Sequence, residues 1–277
     1  MTGTEALRTA IPLLQDAGIA DAARDARILL ANALGLAGDR LTLHLAEEVP
    51  ADAAQRFDAA IAARVRRQPV SQIIGKRLFW GRVFVVTPEV LDPRPETEIL
   101  VAAALERPFA RMLDLGTGSG CILLSCLADL PKASGLGTDI SLAALNVAQR
   151  NAQSLGLAAR VRLQASDWCR GVAGRFDLIT SNPPYITANE MAGLAPEVRD
   201  WEPHLALTAG GDGLGPYRRI AAEAPARLVA GGRLLVEIGP SQGAAVAAMF
   251  AAQGLERVAI RKDLDGRDRV VLAVQPG

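Results

Sequence analysis

The chain has 277 residues, half of them hydrophobic, and its 30 basic and 30 acidic side chains leave no net charge. That length can bury a sizeable core in one or two domains, and the balanced charge lacks the basic excess of a dedicated nucleic-acid binder. No apolar run reaches the ~18 residues of a membrane span, and residues 1–18, with Glu5 and Asp16 and no basic-then-apolar block, do not read as a secretory leader. The three cysteines, Cys121, Cys126 and Cys169, form a sparse, odd set that predicts reduced, buried thiols in a cytoplasmic protein. With His44 and His204 as the only histidines, no metal site is expected.

Residues 1–70 are expected to be helical. Leu7, Ile11 and Leu14 recur at helical spacing, as do Ala26, Leu29, Leu30 and Ala33, and then Phe57, Ile61 and Val65. Asp21 and Asp52 are candidate helix starts. Arg64, Arg66, Arg67, Lys76 and Arg77 read as a solvated basic face, with a docking surface for an acidic or nucleic-acid-containing partner as the alternative. Residues 71–90, SQIIGKRLFWGRVFVVTPEV, are rich in β-branched and aromatic residues around Gly75 and Gly81 and predict a hairpin connector.

From residue 91 to 277 strands and helices alternate. RMLDLG predicts a strand and GCILLSCLADL a helix; GLGTDI is a strand weakened by Gly135 and Gly137. Ser141 and Gly156 bracket the next helix as cap and stop. RVRLQASD and FDLITSN follow as strands, then a helix over residues 217–228, the strand RLLVEIG, the helix GAAVAAMFAAQG and two closing strands. Such alternation predicts an α/β fold with a mostly parallel sheet covered on both faces. Its ligands bind beyond the carboxyl ends of the strands.

The candidate site residues fall at those ends. Gly116, Thr117, Gly118, Ser119 and Gly120 lie between a strand and a helix, where glycine permits a tight turn and close approach of a ligand to the backbone. Asp139 ends the next strand and can accept from both hydroxyls of a ribose; the alternative is a helix-capping aspartate. Asp167 and Trp168 close the third strand, where a carboxylate can accept from an adenine amino group and an indole can stack on its ring. Together these residues outline a nucleoside pocket that NAD and S-adenosylmethionine would both fit.

Asn182-Pro183-Pro184-Tyr185, at the end of the fourth strand, narrows the choice. Amide and heteroaryl NH2 groups are poor nucleophiles because the lone pair is delocalised. Two acceptors that bind both hydrogens from one side favour pyramidalisation and aim the lone pair at an electrophile. The Asn182 side-chain oxygen and the Pro183 carbonyl can be those acceptors, stiffened by the prolines, with Tyr185 offering a flat surface to the planar group. Orientation of this kind can recover ~7–11 kcal/mol of barrier, with no catalytic His, Cys or metal. Hydride transfer to NAD leaves these four residues unexplained.

With these motifs in place the chain resembles the class I S-adenosylmethionine-dependent methyltransferases, and among them the HemK-type glutamine methyltransferases that modify peptide chain release factors. The resemblance runs through PRPETE at 93–98, DLGTGSG at 114–120, DIS at 139–141, SNPPYI at 181–186, EP at 202–203, GGDGL at 210–214, Tyr217, EIG at 237–239 and GRDRVV at 266–271. It implies a Rossmann-like mixed seven-stranded sheet behind a small helical domain that grips the release factor. S-adenosylmethionine would lie on Gly116–Gly120, Asp139, Asp167, Trp168 and Asn182, and S-adenosylhomocysteine would be the product. Asn182–Tyr185 would cradle the glutamine of a Gly-Gly-Gln loop, methylated on its side-chain amide nitrogen. Glu96 and Thr97 would cover the methyl-donor end. A cytoplasmic monomer without stable nucleic-acid binding is expected. The alternatives are a ribosomal-protein glutamine or a DNA or RNA amino group as acceptor. Two departures stand out: Asp92, where the family is usually apolar, and Gly135 with Gly137 in the second strand.

Overall fold

The computed structural model describes all residues from Met1 to Gly277. The chain divides into two compact units, Met1–Lys76 with Ala195–Trp201, and Arg77–Leu194 with Glu202–Gly277. No helix is long and apolar enough to cross a membrane.

In the first unit, α1 (Gly3–Asp16), α2 (Ala22–Ala33), α3 (Ala51–Val65) and α4 (Val70–Ile74) pack with a 3-10 turn at Gly38–His44. Their apolar stripes meet in one core built on Leu14, Leu29, Leu30, Leu41, Phe57 and Ile61. Of the expected helix starts, Asp21 is borne out and Asp52 falls in the first turn of its helix. α1 opens with a capping box, in which the Glu5 amide donates to Thr2 Oγ1 (3.3 Å) and the Thr2 amide to Glu5 Oε2 (2.8 Å). Asp21 occupies the cap position of α2 without making a cap bond, and Asp52 lies inside α3, whose cap is Pro50. Asp52 instead pairs with Arg56 one turn on (2.7 Å).

The solvated reading of the basic cluster fails at Arg64 and Arg67. Arg64 is 8% exposed, its Nε 2.8 Å from Asp25 Oδ2 and its Nη2 3.1 Å from Glu197 Oε1. Arg67 donates to the Ala17 and Gly18 carbonyls and pairs with Glu197 Oε2 at 2.9 Å. A carboxylate brought from more than a hundred residues downstream pairs with the buried Arg64 and the half-buried Arg67, and sequence spacing carries no sign of it.

The expected hairpin is shorter than residues 71–90. Residues 70–74 form α4, stopped by Gly75 in the left-handed region. Only β1 (Lys76–Phe79) and β2 (Arg82–Val85) pair, around Trp80 (φ 48°) and Gly81 (φ 68°), two positive-φ residues that suit a tight hairpin turn.

The rest of the second unit runs α5 (Glu98–Leu105), β3 (Arg111–Leu115), α6 (Cys121–Asp129), β4 (Ser134–Asp139), α7 (Leu142–Ser154), β5 (Val161–Ala165) and β6 (Phe176–Ser181). The one-turn helices α8 (Pro196–Arg199), which belongs to the first unit, and α9 (His204–Leu207) follow. Then come α10 (Gly215–Glu223), β7 (Leu228–Glu237), α11 (Gly243–Ala252), β8 (Glu256–Lys262) and β9 (Asp268–Val274). The sheet order is β5-β4-β3-β6-β7-β9-β8. β3 to β7 are parallel; β9 and β8 close the edge antiparallel. The fold is thus the expected mixed seven-stranded sheet.

Alternation along the strands sends Met112, Leu178, Leu235 and Val270 to a core under α5 and α6, and Leu113, Ile179, Leu234 and Val271 to a core under α10 and α11. Helix α10 ends at Glu223, short of 228. Pro225 cannot donate to a continuing helix, and Leu228 already starts β7.

Gly135 and Gly137 do not make a poor strand. β4 pairs on both sides, with β3 and β5. A Cβ on Gly135 would sit 2.5 Å from Leu123 Cδ1, and one on Gly137 would sit 2.9 Å from Leu163 Cδ2. The glycines let α6 lie close on the sheet.

Candidate active site

The carboxyl ends of the parallel strands open into a cavity of ≈ 290 Å³. Its floor is the loop after β3. Gly116 (φ 67°) and Gly118 (φ 55°) are in the left-handed region, which a side chain would strain. The loop is tied on three sides. The Thr117 amide donates to the Thr138 carbonyl (2.8 Å), Asn151 Nδ2 to the Ser119 carbonyl (2.9 Å) and the Gly118 amide to Asp139 Oδ2 (2.9 Å). Asp114, fully buried beneath, accepts from the hydroxyls of Thr117 (2.7 Å) and Thr180 (2.7 Å), joining the loop to β6. Burial pushes its carboxyl up to about 6.

Gly116, Thr117, Gly118 and Ser119 line the cavity; Gly120 does not. Gly120 (φ 80°) starts α6, and a Cβ there would meet Leu124 Cδ1 at 3.0 Å. Asp139 lines the cavity and also accepts from the Ser141 amide through Oδ1 (2.9 Å), so it braces the residue that caps α7 and is not itself the cap. Burial raises its pKa against the backbone amides of Ser141, Gly118 and Ile140, which lower it. Ser141 caps α7 as expected, its Oγ accepting from the Ala144 amide (3.2 Å). Asp167 and Trp168 lie across from the loop, and Asp167 Oδ2 is held by Arg219 Nη1 at 2.8 Å. Exposed Ile140 (63%) and Leu205 (70%) add apolar walls.

Of the Asn-Pro-Pro-Tyr segment, Asn182 and Pro184 face the cavity, Pro183 is buried, and Tyr185 packs on the core under α10 and α11. Asn182 Nδ2 donates to Thr97 Oγ1 (3.3 Å), which sets the PRPETE segment beside it. The segment's turn is braced from behind: Gln242 Nε2 donates to the Tyr185 carbonyl (3.1 Å), and a Cβ on Gly213 would lie 2.3 Å from that oxygen. Residues 203–209 form another wall, fastened by Glu202, which accepts from Arg94 Nη2 through both oxygens (2.8 and 2.7 Å). Burial pushes Glu202 up to about 7 despite that arginine. Asp92 is buried with Arg77 Nη1 3.7 Å away, so the unusual acid has a cationic neighbour within its own unit.

Cys126 and Cys169 are buried and Cys121 reaches the cavity edge; desolvation pushes the Cys121 thiol up to about 12 and that of Cys169 up to about 11, far from nucleophilic thiolates. Sequence reasoning assigned no role to Asp114, Thr180 or Glu237. The first acid of DLGTGSG and the acid of EIG were visible as motif members, but their burial depends on strand neighbours that the sequence does not order.

Two family models match the chain: the PrmC N-terminal domain over residues 5–75 and the methyltransferase small domain over 88–197. A release factor glutamine methyltransferase from Cereibacter sphaeroides is 61% identical, covering 100% of this chain and 99% of its own length. Another from Rhodospirillum rubrum is 48% identical, covering 94% and 81%. Among solved structures, a methyltransferase from Pyrococcus furiosus shares the fold, with a TM-score of 0.57 at 19% identity over 79% of this chain and 98% of its own. With a relative this similar along its whole length, the chain belongs to the release factor glutamine methyltransferase family.

Proposed function

We propose that this protein methylates the side-chain amide nitrogen of the glutamine in the Gly-Gly-Gln loop of peptide chain release factors, with S-adenosylmethionine as donor and S-adenosylhomocysteine as product. The observation that carries this reading is the Asn182 carboxamide at the cavity wall, its nitrogen drawn to Thr97, across from the glycine loop and Asp139. A nucleoside sulfonium fits the groups present. Backbone exposed at Gly116–Ser119 suits its polar chain, Asp139 retains lone pairs for ribose hydroxyls, and Asp167 Oδ1 with Trp168 suits an adenine. When bound, the donor supplies an electrophilic methyl group beside Asn182.

The chain's own residues then act by orientation. Asn182 Oδ1 and the Pro183 carbonyl accept both hydrogens of the incoming amide from one side, while Tyr185, packed on the core behind, stiffens the turn that carries them. Thr97 walls the donor end as expected, with Arg94 in the place expected of Glu96, which is exposed and does not line the cavity; the two exclude water. Residues 1–70 serve as a docking domain for the release factor, 71–90 as connector and 91–277 as the transferase domain of a cytoplasmic monomer. Methyl-labelled S-adenosylmethionine, incubated separately with release factors, ribosomal proteins, DNA and RNA and mapped by mass spectrometry, tests the reading. Label is expected on the Gly-Gly-Gln glutamine. Label on nucleic acid, or only on a ribosomal protein, overturns it.

A further inference from the structure

The end of β7 holds a carboxylate that the orientation mechanism leaves unused. Ser181 of β6 pairs with Val236 of β7, so the next residues, Asn182 and Glu237, stand side by side at the carboxyl edge of the sheet. Glu237 is 1% exposed and its Oε2 has no hydrogen-bond partner. Its backbone is held by Tyr217, whose hydroxyl donates to the Glu237 carbonyl (2.9 Å). The Thr97 hydroxyl and the Asn182 carboxamide both bear on the carboxylate. Arg269 and Glu96 also act on it, and Tyr185, Tyr217 and Cys121 complete its ionisable surroundings.

The hydrogen count gives this cluster a direction. A threonine hydroxyl has one hydrogen to give. Thr97 Oγ1 receives from Asn182 Nδ2 at 3.3 Å, so its own hydrogen is free for the carboxylate beside it. The Asn182 carboxamide and the Thr97 hydroxyl can then both donate toward Glu237, and an ionised carboxylate, which only accepts, holds them in that sense. Chained hydrogen bonds polarise one another, so an anion at the far end also strengthens Asn182 Oδ1 as an acceptor.

We propose that Glu237 is a positioning residue: together with Thr97 it holds the Asn182 carboxamide with nitrogen inward and oxygen toward the cavity, ready to receive a planar NH2. This rests on the amide-acceptor reading above. A reversed carboxamide would present hydrogens to the hydrogens of the acceptor. A protonated Glu237 can itself donate to Thr97 and removes the direction. Burial pushes that carboxyl up to about 7, which places the change in an accessible pH range.

The test uses the full-length protein with Glu237→Gln, Thr97→Val and Thr97→Ser. Glu237→Gln and Thr97→Val are expected to lower kcat by at least about tenfold while KM for the release factor stays within about twofold, the pattern of an interaction made in the transition state. Wild-type kcat should fall as pH drops through about 7, and Glu237→Gln should lose that limb. Independently of any acceptor, the side-chain NH2 signals of Asn182 in the 15N–1H spectrum, assigned by their loss in Asn182→Ala, should shift around the same pH. They should do so in wild type and Thr97→Ser but not in Glu237→Gln. Unchanged kcat in Glu237→Gln, or Asn182 signals indifferent to pH in wild type, overturns the proposal. Failure of wild type to label any release factor overturns the substrate reading instead, and the Asn182 signals still decide the role of Glu237.

Discussion

Asn182 has one end that donates and one that accepts, and its use depends on which end faces the cavity. The backbone of an Asn-Pro-Pro-Tyr turn places the carboxamide but does not choose between the two. Thr97, 85 residues earlier in the chain, makes the choice by accepting from Nδ2. Asn182→Ala removes the acceptor altogether. Its kcat should fall on the order of a thousandfold, since orientation is what the site contributes. Its affinity for S-adenosylmethionine, measured by calorimetry, should fall by no more than about tenfold, the worth of roughly one hydrogen bond. Equal losses in both would assign Asn182 to cofactor binding alone.

Among the elements, close approach decides more than propensity. β4 has glycines where a strand prefers branched side chains, because α6 lies against it too closely for a Cβ. The loop before α10 has Gly213 at φ 72°, under the Tyr185 carbonyl. Gly213→Ala would add both left-handed strain and a backbone overlap at 2.3 Å, forcing the Asn-Pro-Pro-Tyr turn to move. Activity should drop at least about tenfold with thermal stability reduced by only about 1–3 kcal/mol, the usual cost of overpacking. In the helical unit, α3 is pinned to α2 by the buried Arg64–Asp25 pair. Arg64→Ala leaves Asp25 without its guanidinium and should cost about 3–5 kcal/mol, read as early melting of this unit in denaturant unfolding.

For the molecule as a whole, three buried carboxyls lie above their ordinary range: Asp114 at about 6, Glu202 at about 7 and Glu237 at about 7, each chiefly through desolvation. An unfolded chain ionises these groups at lower pH than the folded one does. Between the two ranges the folded protein therefore holds more protons, and stability must fall as pH rises. Below the unfolded range all three are protonated in both states and this penalty is absent. The melting temperature, followed from pH 5 to 7.5, should decline, a two-unit shift being worth on the order of 3 kcal/mol. Glu237→Gln should flatten the decline, and a slope no different from wild type would remove Glu237 from the account.

Much was legible in the sequence alone. Strand–helix alternation, the glycine turn, Asp139 and the Asn-Pro-Pro-Tyr stop are local patterns, set by backbone geometry and hydrophobic period within a few residues, and they predicted the sheet and the residues gathered at one of its edges. Ser141 was readable as a cap because it bonds three residues away. What only the tertiary structure decided were the contacts made across long separations. Arg64 and Arg67 are drawn out of full solvent because Glu197 reaches them; Asp114 spans the loop and β6; Glu237 stands beside Asn182 only because β7 lies next to β6. Periodicity records which face of an element is apolar, whereas a buried charge is given its partner by the order of the strands.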